Sequence, residues 1–215
     1  MKPRIRTITV FGSSRPRESD NEYATARQLG AELATKGFSV CTGGYGGVME
    51  AVSRGAHDEG GRAIGITARF FKATANEWLN KEIRLKTWQD RLFELIDRGD
   101  GYVLCAEGTG TLVELAVVWE MINKTVMPKK PVVVLGDFWK PVIDRVRQAE
   151  IGQESHGSRD RLLSFSLQGR LRRPPVYSAL ISNRTYADFP QGTGLQFDMR
   201  LPCLVPQNNS WNSIG

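Results

Sequence analysis

Short apolar runs of four to eight residues alternate along the first 150 positions with longer stretches whose apolar residues recur every three or four places. RIRTITVF (4–11) alternates and then turns apolar, the pattern of a strand running into a buried sheet. Ser19-Asp20-Asn21-Glu22 has the Ser-x-x-Glu spacing of a capping box. The periodicity that follows predicts a helix to Lys36, with Ala24, Leu29 and Leu33 on one face and Gly37 as its stop. FSVCT (38–42) is a second predicted strand, 48–59 a helix ended by Gly60-Gly61, and AIGI (63–66) a third strand. Residues 88–98 predict a helix with Trp88, Leu92, Leu95 and Ile96 on its apolar side. GYVLC (101–105), a helix over 111–123, PVVVL (131–135) and a helix over 139–150 complete the series.

Two stretches break the rhythm. Residues 67–87 mix aromatic and basic side chains without a clean period and read as a flap or partner surface. From about Leu167 the chain is rich in Pro and Asn and loses the strand–helix alternation. The expected organisation is therefore one domain over 1–166 and an irregular basic extension over 167–215. Five arginines against two aspartates in that extension concentrate the basic charge there, within a chain of net charge +6. A solvated tail is the simpler reading of that charge, and nucleic acid is not the expected partner.

Strands alternating with helices predict an α/β fold: a Rossmann-like, doubly wound parallel sheet with helices on both faces. Apolar runs fall short of the roughly 18 residues that a membrane helix requires, so no membrane partner is expected. Three unpaired cysteines (Cys41, Cys105, Cys203) suit a reducing cytoplasm rather than a disulfide framework. With His57 and His156 as the only histidines, neither a metal nor a cofactor is expected.

In a doubly wound sheet, ligands bind outside the carboxyl ends of the strands. Three glycine-rich turns fall there: Gly12-Ser13-Ser14, Gly43-Gly44-Tyr45-Gly46-Gly47 and Gly108-Thr109-Gly110-Thr111. Glycine lets backbone approach a ligand closely, and each following helix offers free N–H groups to an anion. A small phosphorylated, nucleotide-like ligand is the expected partner. The phosphate is expected on Gly108, Thr109, Gly110 and Thr111, and the rest of the nucleotide on Gly12, Ser13, Gly43, Gly44, Gly46 and Met49. The pattern is neither the dinucleotide Gly-x-Gly-x-x-Gly nor the Walker Gly-Lys-Ser/Thr, which argues against nicotinamide and kinase chemistry.

Glu114 can be read as a helix-cap acid, since Thr111-Leu112-Val113-Glu114 also fits a capping box. Arg91, however, sits in the first turn of the helix over 88–98. Ten helical residues at roughly 1.5 Å each nearly match five strand residues at roughly 3.3 Å, so the chain should return Arg91 to the edge that carries Gly108 and Glu114. A guanidinium and a carboxylate beside a phosphate cradle are the makings of an active site.

WQDRLFELIDRGDGYVLCAEGTGTLVEL (88–115) resembles the signature region of the Lonely Guy family, phosphoribohydrolases that release the free base from cytokinin riboside 5′-monophosphate or AMP. Gly108, Gly110, Thr111 and Glu114 match that family's Pro-Gly-Gly-x-Gly-Thr-x-x-Glu pattern, and Arg91 falls at its catalytic arginine. FGSSRP and GGYGGVMEAVSRGAHDEGG resemble its first and second loops. Ala106 and Glu107 stand where the pattern has Pro and its first Gly, and Leu92 stands where a lysine follows the arginine. The resemblance implies Arg91 and Glu114 as catalytic residues, the 108–111 loop as the phosphate site and a homodimer or larger assembly. The alternative is a non-catalytic carrier or sensor of a phosphorylated ligand, since carriers of the molybdenum cofactor resemble the same fold. Lysine decarboxylation, an old label on relatives, has no support in the residues.

Overall fold

The computed structural model describes residues 6–153 and 165–168. Among these residues, seven parallel strands form one sheet: β1 (Thr7–Phe11), β2 (Ser39–Thr42), β3 (Ala63–Ala68), β4 (Lys81–Leu85), β5 (Gly101–Leu104), β6 (Val132–Leu135) and β7 (Phe165–Gln168), in the order β4-β3-β2-β1-β5-β6-β7. The helices are α1 (Asn21–Thr35), α2 (Val48–Asp58), α3 (Trp88–Arg98), α4 (Thr109–Asn123) and α5 (Lys140–Gln153). The expected α/β, doubly wound architecture is the observed one.

Strand residues alternate between two apolar layers. Ile8, Val10, Val40, Val103 and Val133 face Tyr23, Leu29 and Leu33 of α1 and Val48 and Val52 of α2. Phe11, Ile66, Tyr102, Leu104 and Val134 face Leu92, Leu95 and Ile96 of α3, Leu115 and Val118 of α4, and Ile143 of α5. Because both faces are covered, the central strands read as unbroken apolar runs. The α1–α2 pair is close-packed: a Cβ at Gly30 would meet the Val52 carbonyl oxygen at 2.1 Å, and one at Gly55 the Arg27 oxygen at 1.9 Å.

Several local expectations change. Residues 67–87 contain an edge strand, β4, pairing from Ile64↔Lys81 to Ala68↔Leu85. Its period is hard to read because only Ile83 and Leu85 are half-buried against the core, while Lys81, Glu82 and Arg84 face solvent. Neither capping box forms. α1 starts at Asn21 behind Asp20, whose carboxylate accepts from the Arg17 amide at 2.8 Å, and Ala24 is exposed. α4 starts two residues before the expected Thr111, so Thr111 and Glu114 both lie inside the helix. Strand β7 crosses the expected boundary at 166/167 and pairs with β6 from Val132↔Phe165 to Leu135↔Gln168. The remainder of the expected extension, from 169 onward, lies outside the described residues.

Strand order reverses direction between β1 and β5, which pair from Ile8↔Gly101 to Phe11↔Leu104. This is the switch point at which connections diverge to opposite sides and leave a crevice. The turn after β1 and the turn after β5 form the two lips of that crevice. No described helix is long and apolar enough to cross a membrane.

Candidate functional site

A cavity of about 370 Å³ opens at the switch point. Its polar rim comes from Gly12, Ser13, Ser14 and Arg15 after β1 and from Gly108, Thr109, Gly110 and Thr111 after β5. Tyr45, Met49, Phe71, Ala73, Trp88 and Leu92 supply the apolar walls, and Arg91 and Glu114 complete the lining.

The β5–α4 turn is shaped by two consecutive left-handed residues, Glu107 (φ 70°) and Gly108 (φ 98°). They swing the chain into α4 with Gly108 at the N-cap, no capping side chain, and the Gly108 carbonyl accepting from Leu112 N at 3.1 Å. The amides of Thr109, Gly110 and Thr111 therefore have no acceptor within the helix and carry the positive end of its dipole. A Cβ added at Gly108 or Gly110 would meet nothing within 4 Å, so the cradle is open. Thr111 is only 3% exposed, and its side chain lines the cavity without a hydrogen-bond partner among the described residues. Glu107 is exposed and is not part of the lining.

Arg91 is the buried cation of the site, 8% exposed on the otherwise apolar face of α3. Thr87 caps that helix by accepting from the Asp90 amide at 3.0 Å, which sets the phase that turns Arg91 inward. Its Nε donates to the Ile66 carbonyl at 2.8 Å and its Nη2 to the Gly43 carbonyl at 3.3 Å. The guanidinium also lies 5.6 Å from the ring centroids of both Tyr45 and Phe71, within range of a cation–π contact. Burial lowers its pKa, and the attraction of Glu114 opposes that shift. Lowered from an arginine's usual value, it still leaves the group charged at neutral pH.

Glu114 lies one turn into α4, half-buried, and no described residue donates a hydrogen bond to its carboxyl. Burial raises its pKa to about 7, with the nearby Arg91 charge pulling the other way. A carboxyl poised near neutrality in a crevice beside a fixed guanidinium can act as a base, as an acid or as a stabiliser of positive charge.

Of the expected nucleotide-binding residues, Gly12, Ser13 and Met49 line the cavity, whereas Gly43, Gly44 and Gly46 stand behind it. The reason is that the turn after β2 folds under Arg91 and the 69–80 connection. Gly43 leaves room for the guanidinium, and the Gly44 carbonyl accepts from Asn76 N at 2.9 Å. The nearest group to a Cβ at Gly46 would be the Glu50 carboxylate. Lining residues not assigned to the site from sequence are Ser14, Arg15, Tyr45, Phe71, Ala73, Trp88 and Leu92. Tyr45 carried a signal, being the one aromatic inside a glycine run. Phe71 and Ala73 are placed by Asn76, whose side chain donates to the Tyr45 carbonyl at 3.0 Å and accepts from Trp78 N at 3.2 Å.

Burial pushes the Cys41 and Cys105 thiols up to about 12, so neither is a nucleophile near neutral pH. Among the described residues there is no cluster of three or more His, Cys, Asp or Glu side chains able to hold a metal ion.

The chain is similar to several known proteins. A protein of Archaeoglobus fulgidus is 31% identical over 134 residues, covering 62% of this chain and 86% of that one. The cytokinin riboside 5′-monophosphate phosphoribohydrolase LOG of Oryza sativa subsp. japonica is 28% identical over 156 residues, 69% of this chain. The match spans 63% of that enzyme's own length, less than two thirds. In structure, the molybdenum cofactor binding protein of Rippkaea orientalis superposes with a TM-score of 0.58 at 25% identity, covering 76% of this chain and 89% of that one. Residues 5–161 match the family model described as the SLOG cluster4 family, and the chain belongs to that family.

Proposed function

We propose that this site binds a nucleoside 5′-monophosphate, of AMP or cytokinin riboside type, and hydrolyses its N-glycosidic bond to free base and ribose 5-phosphate. The observation that carries the reading is that Arg91 and Glu114, from different helices, line one cavity with the open Gly108–Thr111 cradle. The likeness to the rice phosphoribohydrolase supports it at the level of reaction class.

In this reading the phosphate rests on the amides of Thr109, Gly110 and Thr111 and on the Thr111 hydroxyl. Glu114, one helical turn further along, then faces the ribose. Cleavage of the glycosidic bond develops positive charge at the anomeric carbon, which an ionised carboxylate stabilises. The hydroxyl of water adds to that carbon, and the water's other proton passes through Glu114 or solvent to the departing base nitrogen. Arg91, held by two backbone carbonyls, cannot follow the ligand; it offers a fixed charge against which ribose phosphate or leaving base is oriented. Tyr45, Phe71 and Trp88 give the planar base an aromatic wall. No resident metal or cofactor is required by this scheme.

The test is incubation with AMP and with cytokinin ribotides, followed by chromatographic detection of free base. Glu114→Gln should abolish release while retaining much of the nucleotide affinity.

A second reading has its own support. Ala106 and Glu107 replace Pro and Gly in the cradle, Leu92 replaces a lysine beside Arg91, and the structural neighbour from Rippkaea orientalis is a molybdenum cofactor binding protein. Tight nucleotide binding without base release would move the chain to the carrier or sensor class.

A further inference from the structure

The charges around the cavity leave one cation uncommitted. Arg91 spends Nε on the Ile66 carbonyl and Nη2 on the Gly43 carbonyl, and the opposite charge of Glu114 faces it. A phosphate monoester near neutral pH carries close to two negative charges. Helix amides and one offset guanidinium balance this incompletely. Among the described residues Arg15 is the other cation that lines the cavity, on the opposite lip from the cradle. Its backbone N–H donates to Ser13 Oγ at 3.1 Å, which folds the turn after β1, while its side chain is exposed. No described residue accepts a hydrogen bond from its guanidinium. Across the cavity, the Thr111 side chain, 3% exposed, also has no hydrogen-bond partner among the described residues.

We infer that Arg15 is the residue by which this site selects a phosphorylated ligand. It closes on the phosphoryl group from the β1 lip while the Thr109–Thr111 amides and the Thr111 hydroxyl hold it from the β5 lip. The inference rests on the nucleotide reading above and deepens it by dividing the cations. Arg91 is buried and immobile and serves the sugar and base, whereas Arg15 is exposed and free to swing and serves the phosphate alone. A planar guanidinium suits this role because its fork donates to two phosphoryl oxygens at once. Arg15 is thus a specificity-determining residue, and the chemical step does not run through it.

Calorimetric titration with AMP, adenosine and ribose 5-phosphate tests the assignment on the full chain and on Arg15→Gln and Arg15→Lys. As an exposed turn residue, Arg15 can be exchanged with little risk to folding, and thermal melting of each variant checks this. The unaltered chain should prefer AMP to adenosine. Arg15→Gln should weaken AMP and ribose 5-phosphate binding by about 10- to 100-fold, the range for a lost charge-assisted bond, and leave adenosine unchanged. Arg15→Lys should recover part of the loss, and in turnover the change should fall on KM with kcat nearly constant. AMP affinity untouched by Arg15→Gln, or AMP and adenosine weakened equally, would overturn the assignment while leaving the nucleotide reading intact. Failure of the unaltered chain to bind AMP would overturn both.

Discussion

Arg91 occupies its place because residue 43 has no side chain: a Cβ at Gly43 would stand 1.8 Å from Arg91 Nη2 and 2.6 Å from Met49 Sδ. Gly43, which reads from sequence as a ligand contact, seats the buried cation, with its carbonyl as one of the two acceptors that hold it. Both obstructing groups are the ends of flexible side chains.

Gly43→Ala should therefore separate folding from function. The guanidinium would be pushed aside and its hydrogen bonds to the Ile66 and Gly43 carbonyls disturbed while the sheet remains intact, so stability should fall by about 1–3 kcal/mol. Base release should fall by about 100-fold, the cost of misplacing a positioning group by an ångström or so. Thermal melting and an AMP hydrolysis assay on the same preparation check both numbers. A variant with normal turnover would show that the seat is unimportant.

The raised pKa of Glu114 sets two pH dependences. If the ionised carboxylate supports cleavage, kcat/KM, which reports the ligand-free site, should rise with pH through about 7, and Glu114→Gln should remove that limb with the activity. For stability, the folded pKa lies above the unfolded value of 4.5, so folding favours the protonated form. That contribution is fully present below pH 4.5 and is lost as pH rises through about 7. Glu114→Gln should therefore melt near the unaltered chain at pH 4.5 and above it at pH 8. Melting curves at those two values decide it; an equal difference at both would refute the buried-carboxyl account.

Glu107 adopts a left-handed φ of 70° with an exposed side chain. Such strain costs on the order of 1–3 kcal/mol, and glycine at that position gives back part of the relief through unfolded-state entropy. Glu107→Gly should therefore stabilise the chain by about 1 kcal/mol in urea denaturation. A destabilised variant would mean that the Glu107 side chain makes an attraction that outweighs the strain.

Asn76 ties the connection that carries Phe71 and Ala73 to the glycine-rich turn, through its backbone N–H to Gly44 and its side chain to Tyr45. Asn76→Ala removes the side-chain bonds and should cost about 1–2 kcal/mol. Amide exchange over residues 69–80 should quicken, and KM for AMP should rise through the loosened aromatic wall. Unchanged exchange would show that other contacts hold this segment.

Local pattern alone determined the five inner strands and the helices, because buried parallel strands and amphipathic helices each leave a period within a few residues. It also placed Arg91 and Glu114 on one sheet edge, since helix and strand rises fix how far the chain travels before returning. β4 escaped because an edge strand buries only alternate residues, and its Ile83 and Leu85 are flanked by charge. The roles of the glycines were decided by tertiary structure. Sequence cannot distinguish a glycine that meets a ligand from Gly43, whose missing Cβ admits a side chain 48 positions away. Arg15, Phe71 and Trp88 likewise carry no local mark of function, since they converge only when separate connections fold over the switch point between β1 and β5.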